Sequence, residues 1–352
     1  MGRLTRYGAT RAQLEDLLDD EPGYRTDQVW DALWRRRVPL ANATEVPVQL
    51  RDRLDVTLPL ALSLLVAVTA RDERTMKWRW ATHDGAQVET VLMRSPRRAS
   101  VCVSSQAGCA MGCPFCATGQ AGFERQLDAA EIVEQVLRAQ HATTQRVTNA
   151  VYMGMGEPLA NYDPVWESIA RLHGELGLSA RRITLSTIGV VPGMRRLARE
   201  ALPVTLAVSL HAPDDELRSR LVPLNHRYPI AEILDAAADV AGAHGRRITF
   251  EYAGIAGVND APEQAEALAE LLAAWPGVGG AHVNLIPLNP TAGFPGRATP
   301  PARLQAFARR LQARGVTATL RRTQGRDIDA ACGQLRRPAE PGPGAASTTM
   351  GP

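Results

Sequence analysis

The sequence predicts an α/β fold in which a parallel sheet is either open or curled into a barrel. From about residue 99 onward, strand-like apolar runs alternate with segments of helical periodicity, as is typical of parallel sheets with crossover helices. In barrels of this kind, the chemistry gathers where strands end and helices begin. The expected strands are 99–104, 147–153, 182–187, 203–210, 247–253, 281–287 and 316–322, and the expected helices are 128–142, 163–176, 192–200, 229–243, 260–274 and 301–314.

The segment before this alternation, residues 1–74, predicts a small helical domain. Apolar residues recur there at helical spacing, and one stretch places Trp30 and Trp34 on the same face. The expected helical stretches are 10–18, 26–37, 48–56 and 59–69.

Residues 75–94 predict a β-hairpin that links the helical domain to the core at 95–336. Two stretches of alternating polarity, Met76–Trp80 and Val88–Leu92, flank an Asp-Gly pair. An Asp-Gly pair between alternating stretches is a strong hairpin signal.

Composition limits the class of protein. The 352 residues carry a net charge of +3, so there is no overall basic field, and Lys77 is the only lysine. We find no apolar run of membrane-spanning length, no signal-peptide pattern and no disulfide framework among the five cysteines. We therefore expect a cytoplasmic protein without membrane association. Residues 337–352 are rich in Pro, Gly, Ala, Ser and Thr and predict a disordered tail.

The main functional signal is a cysteine-rich segment, residues 104–120, whose glycines and small residues predict a loop. Cys109, Cys113 and Cys116 are spaced Cys-x3-Cys-x2-Cys, and a loop that folds back on itself can aim three thiolates at one point. Three sulfurs are one short of a closed zinc site and one short of a closed four-iron cluster. A cluster held by three cysteines leaves one iron open for a substrate or cofactor; a zinc knuckle is the alternative.

This motif resembles the cluster motif of the radical S-adenosylmethionine (SAM) superfamily, and Phe115 before the last cysteine is consistent with it. The resemblance implies one [4Fe-4S] cluster on Cys109, Cys113 and Cys116, with SAM chelated by the open iron. It also implies cleavage of SAM to a 5′-deoxyadenosyl radical. The fold implied is a partial (β/α)6 barrel of the TIM type, with the helical domain and the hairpin as additions.

Polar residues at the expected strand ends are candidates for binding SAM. Met153–Pro158 follows the second strand, and its glycines let the backbone approach a ligand closely. By resemblance, Gly156 and Glu157 correspond to the superfamily element that binds the SAM amino group. The other candidates are Ser186, Ser209, Leu210, His211 and Asn289. For any one of these alone, a satisfied polar cap is the alternative. The sequence indicates no role for Glu251.

The two remaining cysteines extend the resemblance. Cys102 lies on the first expected strand, and Cys332 lies far away among small residues. As a lone pair they are equally consistent with two inert core thiols. Several segments together, however, resemble the RlmN/Cfr family of adenosine methyltransferases, and are closer to RlmN. These segments are 102–123, 153–158, 209–213, 284–290 and 327–335, within a match over about residues 20–336.

The resemblance implies a use for every cysteine. One SAM methylates Cys332, and a second SAM yields the radical that takes a hydrogen from that methyl group, so two SAM molecules serve each transfer. The methylene adds to the adenine, Cys102 removes the ring proton, and a Cys102–Cys332 disulfide forms that reductants reset. Glu89 matches a family glutamate proposed as a proton acceptor; an exposed hairpin carboxylate is the alternative.

The implied substrate is C2 of an adenosine in the peptidyl-transferase region of 23S rRNA, with an anticodon-loop adenosine of tRNA for many family members. An electron donor such as flavodoxin or ferredoxin and a monomeric state are also implied. The N-terminal helices and the arginine pairs 181–182, 246–247 and 321–322 offer phosphate contacts, although each pair is equally typical of a solvated surface. The alternatives are a Cfr-like methylation at C8 and a non-catalytic zinc-binding RNA module.

Overall fold

A computed structural model describes residues 4–321 and 323–336 of the chain, so the expected tail at 337–352 lies outside the described residues. The strands are β1 (Leu62–Thr69), β2 (Thr75–Thr82), β3 (Gln87–Ser95), β4 (Arg98–Cys102), β5 (Gln106–Gly108), β6 (Phe123–Gln126), β7 (Val147–Tyr152), β8 (Ile183–Thr187), β9 (Thr205–Ser209), β10 (Thr249–Gly254), β11 (His282–Pro287) and β12 (Thr317–Leu320). The α-helices are α1 (Arg11–Leu17), α2 (Tyr24–Trp30), α3 (Val48–Thr57), α4 (Ala117–Gln120), α5 (Ala129–His141), α6 (Tyr162–Gly174), α7 (Val191–Leu197), α8 (Asp215–Leu221), α9 (Ile230–His244), α10 (Pro262–Ala273) and α11 (Pro301–Ala313).

Ten of the strands in the described part of the chain form one sheet, in the order β1-β2-β3-β4-β7-β8-β9-β10-β11-β12. Every neighbouring pair from β4 to β12 is parallel, and helices lie between successive strands in the sequence. Residues of β4 and residues just after β12 line one cavity, so the two ends of the parallel part approach each other. The predicted α/β fold with a partial barrel is confirmed.

Local sequence explains where the crossover helices begin. Asp128 precedes α5, and its carboxylate accepts a hydrogen bond from the Glu131 N–H at 2.8 Å while Glu131 accepts one from the Asp128 N–H at 3.0 Å. Such a reciprocal pair satisfies two N–H groups that have no partner within the helix. Behind this cap, Ile132, Val133 and Val136 are fully buried in the core. The cap and the apolar face together fix α5 against the sheet.

Helices are present in three of the expected N-terminal stretches, 10–18, 26–37 and 48–56, which contain α1, α2 and α3. Helix α2 continues as a π-helical turn at Asp31–Arg36. Trp34 on this turn is buried and meets the Tyr7 ring edge-to-face, with centroids 5.9 Å apart. No helix of residues 4–321 and 323–336 has the length and apolar character that crossing a bilayer requires.

The expected helix at 59–69 is wrong, because this segment contains strand β1, which pairs antiparallel with β2. Its β-branched residues favour a strand, but the deciding interactions are non-local. The buried carboxylate of Glu134 on α5 accepts hydrogen bonds from the backbone N–H groups of Ala61 (2.7 Å) and Leu62 (3.2 Å). Burial raises the pKa of Glu134 to about 7, although the hydrogen bonds from these two N–H groups lower it.

The expected hairpin at 75–94 is confirmed. β2 and β3 pair antiparallel, and the turn contains Gly85 with a positive φ of 87°. Because β3 also pairs antiparallel with β4, the hairpin and β1 extend the sheet beyond the barrel.

We expect Glu134→Ala to lower the free energy of unfolding by about 1–3 kcal/mol, because two buried N–H groups would lose their acceptor. Denaturant unfolding followed by circular dichroism measures this difference. Glu167→Ala is the matched control, since Glu167 is an exposed carboxylate of the neighbouring helix α6 that pairs with Arg171. Equal stability of the two variants would show that Glu134 does not hold β1.

Candidate active site

A cavity of about 170 Å³ lies at the carboxyl ends of the parallel strands, and we call it the upper cavity. Its wall combines the cysteine loop, the loop after β7 and the segment around Cys332. The residues expected from the sequence that line it are Cys109, Cys113, Cys116, Gly156, Glu157, Ser186, Ser209, His211, Asn289 and Cys332. Residues spread over most of the chain therefore meet at one place.

The cysteine loop is held in a tight conformation. The expectation of a loop throughout 104–120 needs correction, because β5 and α4 frame the cysteines with short regular elements. The Cys109 N–H donates to the Gly122 carbonyl at 2.9 Å. Gly108 has a φ of 75°, and a Cβ there would lie 1.9 Å from the Gly122 carbonyl oxygen. Only glycine fits this position, so the close approach of β5 and β6 depends on it.

Burial disfavours the ionised forms of two of the loop cysteines, Cys109 and Cys113. Burial raises the pKa of Cys109 to about 12 and raises the pKa of Cys113 further, to which the charges of Cys116 and Cys109 also contribute. Ligand thiols must be deprotonated, and the positive charge of bound iron supplies that stabilisation.

The placement of these thiols fits a cluster held by three cysteines. Cys109, Cys113 and Cys116 all line the upper cavity, so their thiols lie around one space. In a [4Fe-4S] cluster each thiolate binds a different iron. Cys109, Cys113 and Cys116 are the residues that would hold the cluster.

Glu157 and Gly156 lie where the sequence predicted them. The buried Glu157 carboxylate accepts hydrogen bonds from the N–H groups of Leu159 (3.0 Å) and Ile188 (2.9 Å), which ties the loops after β7 and β8 together. Burial raises its pKa to about 7. Gly156 has a φ of 101°, and its missing side chain leaves room for Gln106.

His211 follows β9 and has an imidazole that is held neutral. Its Nδ1 accepts a hydrogen bond from the Ala253 N–H at 3.0 Å, and its ring meets Phe115 edge-to-face at 5.1 Å. Burial lowers its pKa to about 3. Leu210 differs from its neighbours, because its side chain is fully buried and its N–H donates to the Glu251 carbonyl. The Leu210 carbonyl is also engaged, since it accepts from Arg218 Nε at 3.0 Å, and Leu210 is not among the residues that line the upper cavity.

Arg218 is a structural residue of the site that the sequence analysis missed. Its buried guanidinium donates to the carbonyls of Leu210 (3.0 Å), Ser209 (3.1 Å) and Ile188, and to Asn225 Oδ1 (2.8 Å). It lies on α8, a seven-residue helix too short to give a clear periodic signal. Four acceptors around one cation fix the backbone at the ends of two strands.

Asn289 holds the segment that carries Cys332. Its Nδ2 donates to the Cys332 carbonyl at 3.0 Å, and its Oδ1 accepts from Arg326 Nε at 3.0 Å. The same segment contacts the cysteine loop, since the Ala117 N–H donates to the Gly333 carbonyl at 2.8 Å and Thr118 Oγ1 to the Leu335 carbonyl at 2.6 Å. Cys332 is thereby placed on the wall of the upper cavity.

A second cavity, of about 630 Å³, lies inside the barrel, and we call it the lower cavity. It is lined by inward-facing residues of β4 and of β7 to β12, including Cys102. Cys332 and Arg321 line both cavities. Cys102 and Cys332 thus line the same cavity. Burial raises the pKa of Cys102 to about 12.

The arginine pairs do not share one environment. Arg181, Arg182 and Arg247 are exposed, whereas Arg321 is partly buried and lines both cavities, so Arg321 does not belong to a solvated surface. Arg322 lies outside the described residues.

Glu89 is not the exposed hairpin carboxylate that the sequence analysis offered as the alternative. It is buried, its Oε1 lies 3.1 Å from Lys77 Nζ, and its Oε2 accepts from the Arg336 N–H at 3.1 Å. Lys77 also donates to the Asp329 carbonyl at 3.1 Å. Burial raises the pKa of Glu89, and Lys77 opposes this shift.

Comparison with known proteins identifies the family. The model of the Radical SAM superfamily matches residues 103–272. A probable dual-specificity RNA methyltransferase RlmN of Parafrankia sp. (strain EAN1pec) is 52% identical over 341 residues, which cover 91% of this chain and 87% of the relative. The chain belongs to the RlmN family of radical SAM RNA methyltransferases.

Two further similar proteins support this family assignment. A probable dual-specificity RNA methyltransferase RlmN of Thermobifida fusca (strain YX) is 49% identical and covers 86% of this chain and 85% of its own. The crystal structure of a radical SAM methyltransferase from Sphaerobacter thermophilus superposes with a TM-score of 0.88 at 48% sequence identity. The match covers 95% of this chain and 99% of that one. The protein is thus a SAM-dependent RNA methyltransferase, and RlmN-family membership implies SAM and a [4Fe-4S] cluster as its cofactors.

We expect Asn289→Ala to loosen the Cys332 segment, because two hydrogen bonds would be lost at a net cost of about 0.5–1.5 kcal/mol each. Amide hydrogen exchange of residues 325–336 should become roughly tenfold faster. Asn149→Ala is the control, since the Asn149 amide accepts from its neighbour Thr148. Unchanged exchange in Asn289→Ala would contradict the anchoring role.

Proposed function

We propose that this enzyme methylates C2 of an adenosine in 23S rRNA and, as a second substrate, an adenosine of the tRNA anticodon loop. The observation that carries the proposal is the placement of Cys332 between the two cavities, beside the cluster cysteines in one and Cys102 in the other. Relatives about half identical over most of the chain are named as dual-specificity RNA methyltransferases. Adenine C2 is electrophilic and not acidic, so direct transfer to a nucleophilic carbon is not open to the enzyme.

We assign to the two thiols the roles that the family resemblance implies, and their positions on shared cavity walls are consistent with these roles. Cys332 Sγ accepts a methyl group from SAM: its S–C bond forms as the sulfonium C–S bond breaks, and S-adenosylhomocysteine leaves. When bound, the cluster and a second SAM supply the radical that removes a hydrogen atom from this methyl group. The carbon radical on Cys332 bonds to adenine C2, and Cys102 accepts the C2 proton and passes it to the transferred carbon, which becomes a methyl group. The sulfur of Cys102 bonds to the Cys332 sulfur as the bond between Cys332 Sγ and that carbon breaks. One electron is left over, which would return to the cluster that was oxidised in forming the radical. The disulfide is reset by a reductant.

Groups around the upper cavity prepare it for SAM. The Glu157 carboxylate is the acceptor proposed for the SAM amino group, and ionised carboxylates make strong hydrogen bonds to ammonium groups. Ser186, Ser209 and the neutral His211 offer further polar contacts on the same wall. Glu89 is proposed as a second proton acceptor besides Cys102, and the upward shift of its pKa on burial favours that role.

RNA binding belongs to the same proposal. The exposed Arg181, Arg182 and Arg247 and the accessory domain of residues 1–74 are the proposed phosphate contacts. The target base has to leave its stack to reach a cavity of this size. We further infer a cytoplasmic monomer that receives electrons from a flavodoxin or ferredoxin.

The methylated-base inventory tests the function. We expect 2-methyladenosine in 23S rRNA and in tRNA to disappear when the gene is deleted and to return with the wild-type gene but not with Cys332→Ala. Nuclease digestion and mass spectrometry measure it. Unchanged 2-methyladenosine after deletion would refute the proposal, and loss of 8-methyladenosine instead would show C8 chemistry.

We expect Cys102→Ala to accumulate enzyme crosslinked to RNA, because the bond between Cys332 and the adenine carbon could not be resolved without the second sulfur. A denaturing gel of the reaction with labelled RNA shows the crosslink, and Cys332→Ala is its negative control. Free methylated RNA at the wild-type rate would rule out the assigned role of Cys102.

A further inference from the structure

Glu251 is a buried carboxylate that the proposed chemistry does not use. It lies on β10, lines both cavities, and is only 5% exposed. Among residues 4–321 and 323–336, a single nitrogen, Asn284 Nδ2, donates to its two oxygens, at 3.1 and 3.0 Å. A carboxylate has about four acceptor positions, so most of the hydrogen-bonding capacity of Glu251 is open toward the cavities.

A row of side chains across three strands holds Asn284 in one orientation. Glu251 pairs with Asn284 in the register of β10 and β11, and Asn284 pairs with Thr319 in the register of β11 and β12. The Thr319 hydroxyl donates to Asn284 Oδ1 at 3.3 Å, which directs the amide nitrogen toward Glu251. Since Thr319 has given its hydrogen to Asn284, its oxygen accepts the N–H of His282 Nε2 at 3.0 Å. The donors of this row all point toward Glu251, which therefore ends it as an acceptor.

The state of this carboxylate favours a ligand that donates hydrogen bonds. Burial raises the pKa of Glu251, and the charge of Arg321 and the bond from Asn284 offset this shift only in part. A buried charge without enough partners is costly, and N–H groups of a ligand would stabilise it. An amino group on an aromatic ring supplies such donors, whereas a carbonyl oxygen in the same place would be repelled.

The lower cavity has the features expected of a chamber for a base of RNA. Its volume of about 630 Å³ is in the usual range of ligand pockets. Arg94 and Arg98, on the two sides of the β3–β4 turn, line it, and Arg98 is exposed. These cations can contact the phosphates of a nucleotide whose base lies inside. Cys109, Cys113 and Cys116 line the upper cavity and not this one, so the lower cavity is separate from the cluster site.

Glu251 and Cys102 lie on different walls of the lower cavity. Three strands, β7, β8 and β9, separate β4, which ends at Cys102, from β10. In adenine the amine is attached to C6, and C2 is the next carbon of the same ring beyond N1. Recognition of the amine on the wall of β10 therefore selects adenine and the ring that carries C2.

We propose that Glu251 is a specificity-determining residue, which accepts a hydrogen bond from the exocyclic amine of the target adenine and is positioned by Asn284. The inference rests on the proposed function and deepens it by naming a residue that reads the base. Guanine carries a carbonyl oxygen at C6, and an anionic carboxylate opposite that oxygen excludes it. Part of the selectivity for adenosine thus arises inside the barrel, in addition to the recognition of RNA shape.

The first test compares an RNA hairpin carrying adenosine at the target position with one carrying purine riboside, which lacks the C6 amine. Competition between the two for anaerobic, cluster-loaded enzyme gives the ratio of their kcat/KM values, read by mass spectrometry of the methylated nucleosides. We expect wild type to prefer adenosine roughly ten- to hundredfold, the range of a hydrogen bond to a charged group, and Glu251→Gln to reduce this preference to about threefold.

The comparison of variants removes the difference in intrinsic reactivity between the two bases, because it affects every variant equally. Glu263→Gln is the matched control, since Glu263 is an exposed carboxylate on α10, the helix that follows β10, and should keep the wild-type preference. An equal preference in wild type and Glu251→Gln would overturn the inference.

Asn284→Ala tests the positioning role and also serves if Glu251→Gln does not fold. Without the amide, Glu251 keeps its charge but loses its orientation, so we expect a preference for adenosine between those of wild type and Glu251→Gln. The same competition measures it. A wild-type preference in Asn284→Ala would contradict the positioning of Glu251 by this amide.

The second test addresses SAM, whose own adenine carries the same amine. Equilibrium dialysis of the cluster-loaded protein without RNA gives the dissociation constant of SAM, which we expect to be equal in wild type and Glu251→Gln. Binding about tenfold weaker in the variant would assign Glu251 to the cofactor and overturn its role in reading RNA.

One readout separates this inference from the proposed function. Failure of wild-type enzyme to form 2-methyladenosine in the adenosine hairpin would refute the proposed function itself. Normal formation of 2-methyladenosine together with an unchanged preference in Glu251→Gln would leave the function standing and remove Glu251 from the recognition of the base.

Discussion

The site depends on one non-local contact, the docking of the segment around Cys332 onto the cysteine loop. Hydrogen bonds from Ala117 and Thr118 reach the carbonyls of Gly333 and Leu335, and Asn289 holds Cys332 itself from the opposite side. Each bond contributes little alone, but together they bring a thiol from the end of the chain to the barrel. Without this docking, Cys332 would not line the cavities that hold Cys109, Cys113 and Cys116 on one side and Cys102 on the other.

Burial of so many ionisable groups at one end of a barrel requires compensating charge. Desolvation disfavours the ionised forms of Cys102, Cys109 and Cys113, as expected in a medium of low dielectric constant. Arg218 lies near Cys113, and Arg321 lies near Cys102 and Cys332. The Arg218 guanidinium is fixed by four acceptors, so its positive charge is oriented before any ligand arrives. Fixed charges of this kind need no reorganisation during a reaction.

Much of the fold could be predicted because the periodicity of apolar residues along each segment indicates its secondary structure. The parallel strands and the crossover helices have continuous apolar runs or a 3.6-residue repeat, and capping residues such as Asp128 mark where helices start. The segment 59–69 was misassigned because its strand state depends on β2 and on Glu134, both distant in sequence. The helix α8 was missed because seven residues give too few turns for a repeat.

The site was predictable only in part. The spacing of Cys109, Cys113 and Cys116 is a strong local signal, and the resemblance added Cys102 and Cys332. The location of Arg321 on the cavity walls was not predicted, because an Arg-Arg pair has the same appearance in the sequence on a surface and in a barrel. Glu251 likewise shows its partner, Asn284, only when β10 and β11 pair.

The placement of Lys77 has a practical consequence. It is the only lysine of the chain, and its ammonium group bridges Glu89 and the carbonyl of Asp329. Apart from the N-terminus, the protein therefore offers amine-directed reagents a single target, which is engaged when the segment leading to Cys332 is in place. The rate at which this single ε-amino group is acylated would measure how often the segment leading to Cys332 dissociates from Lys77.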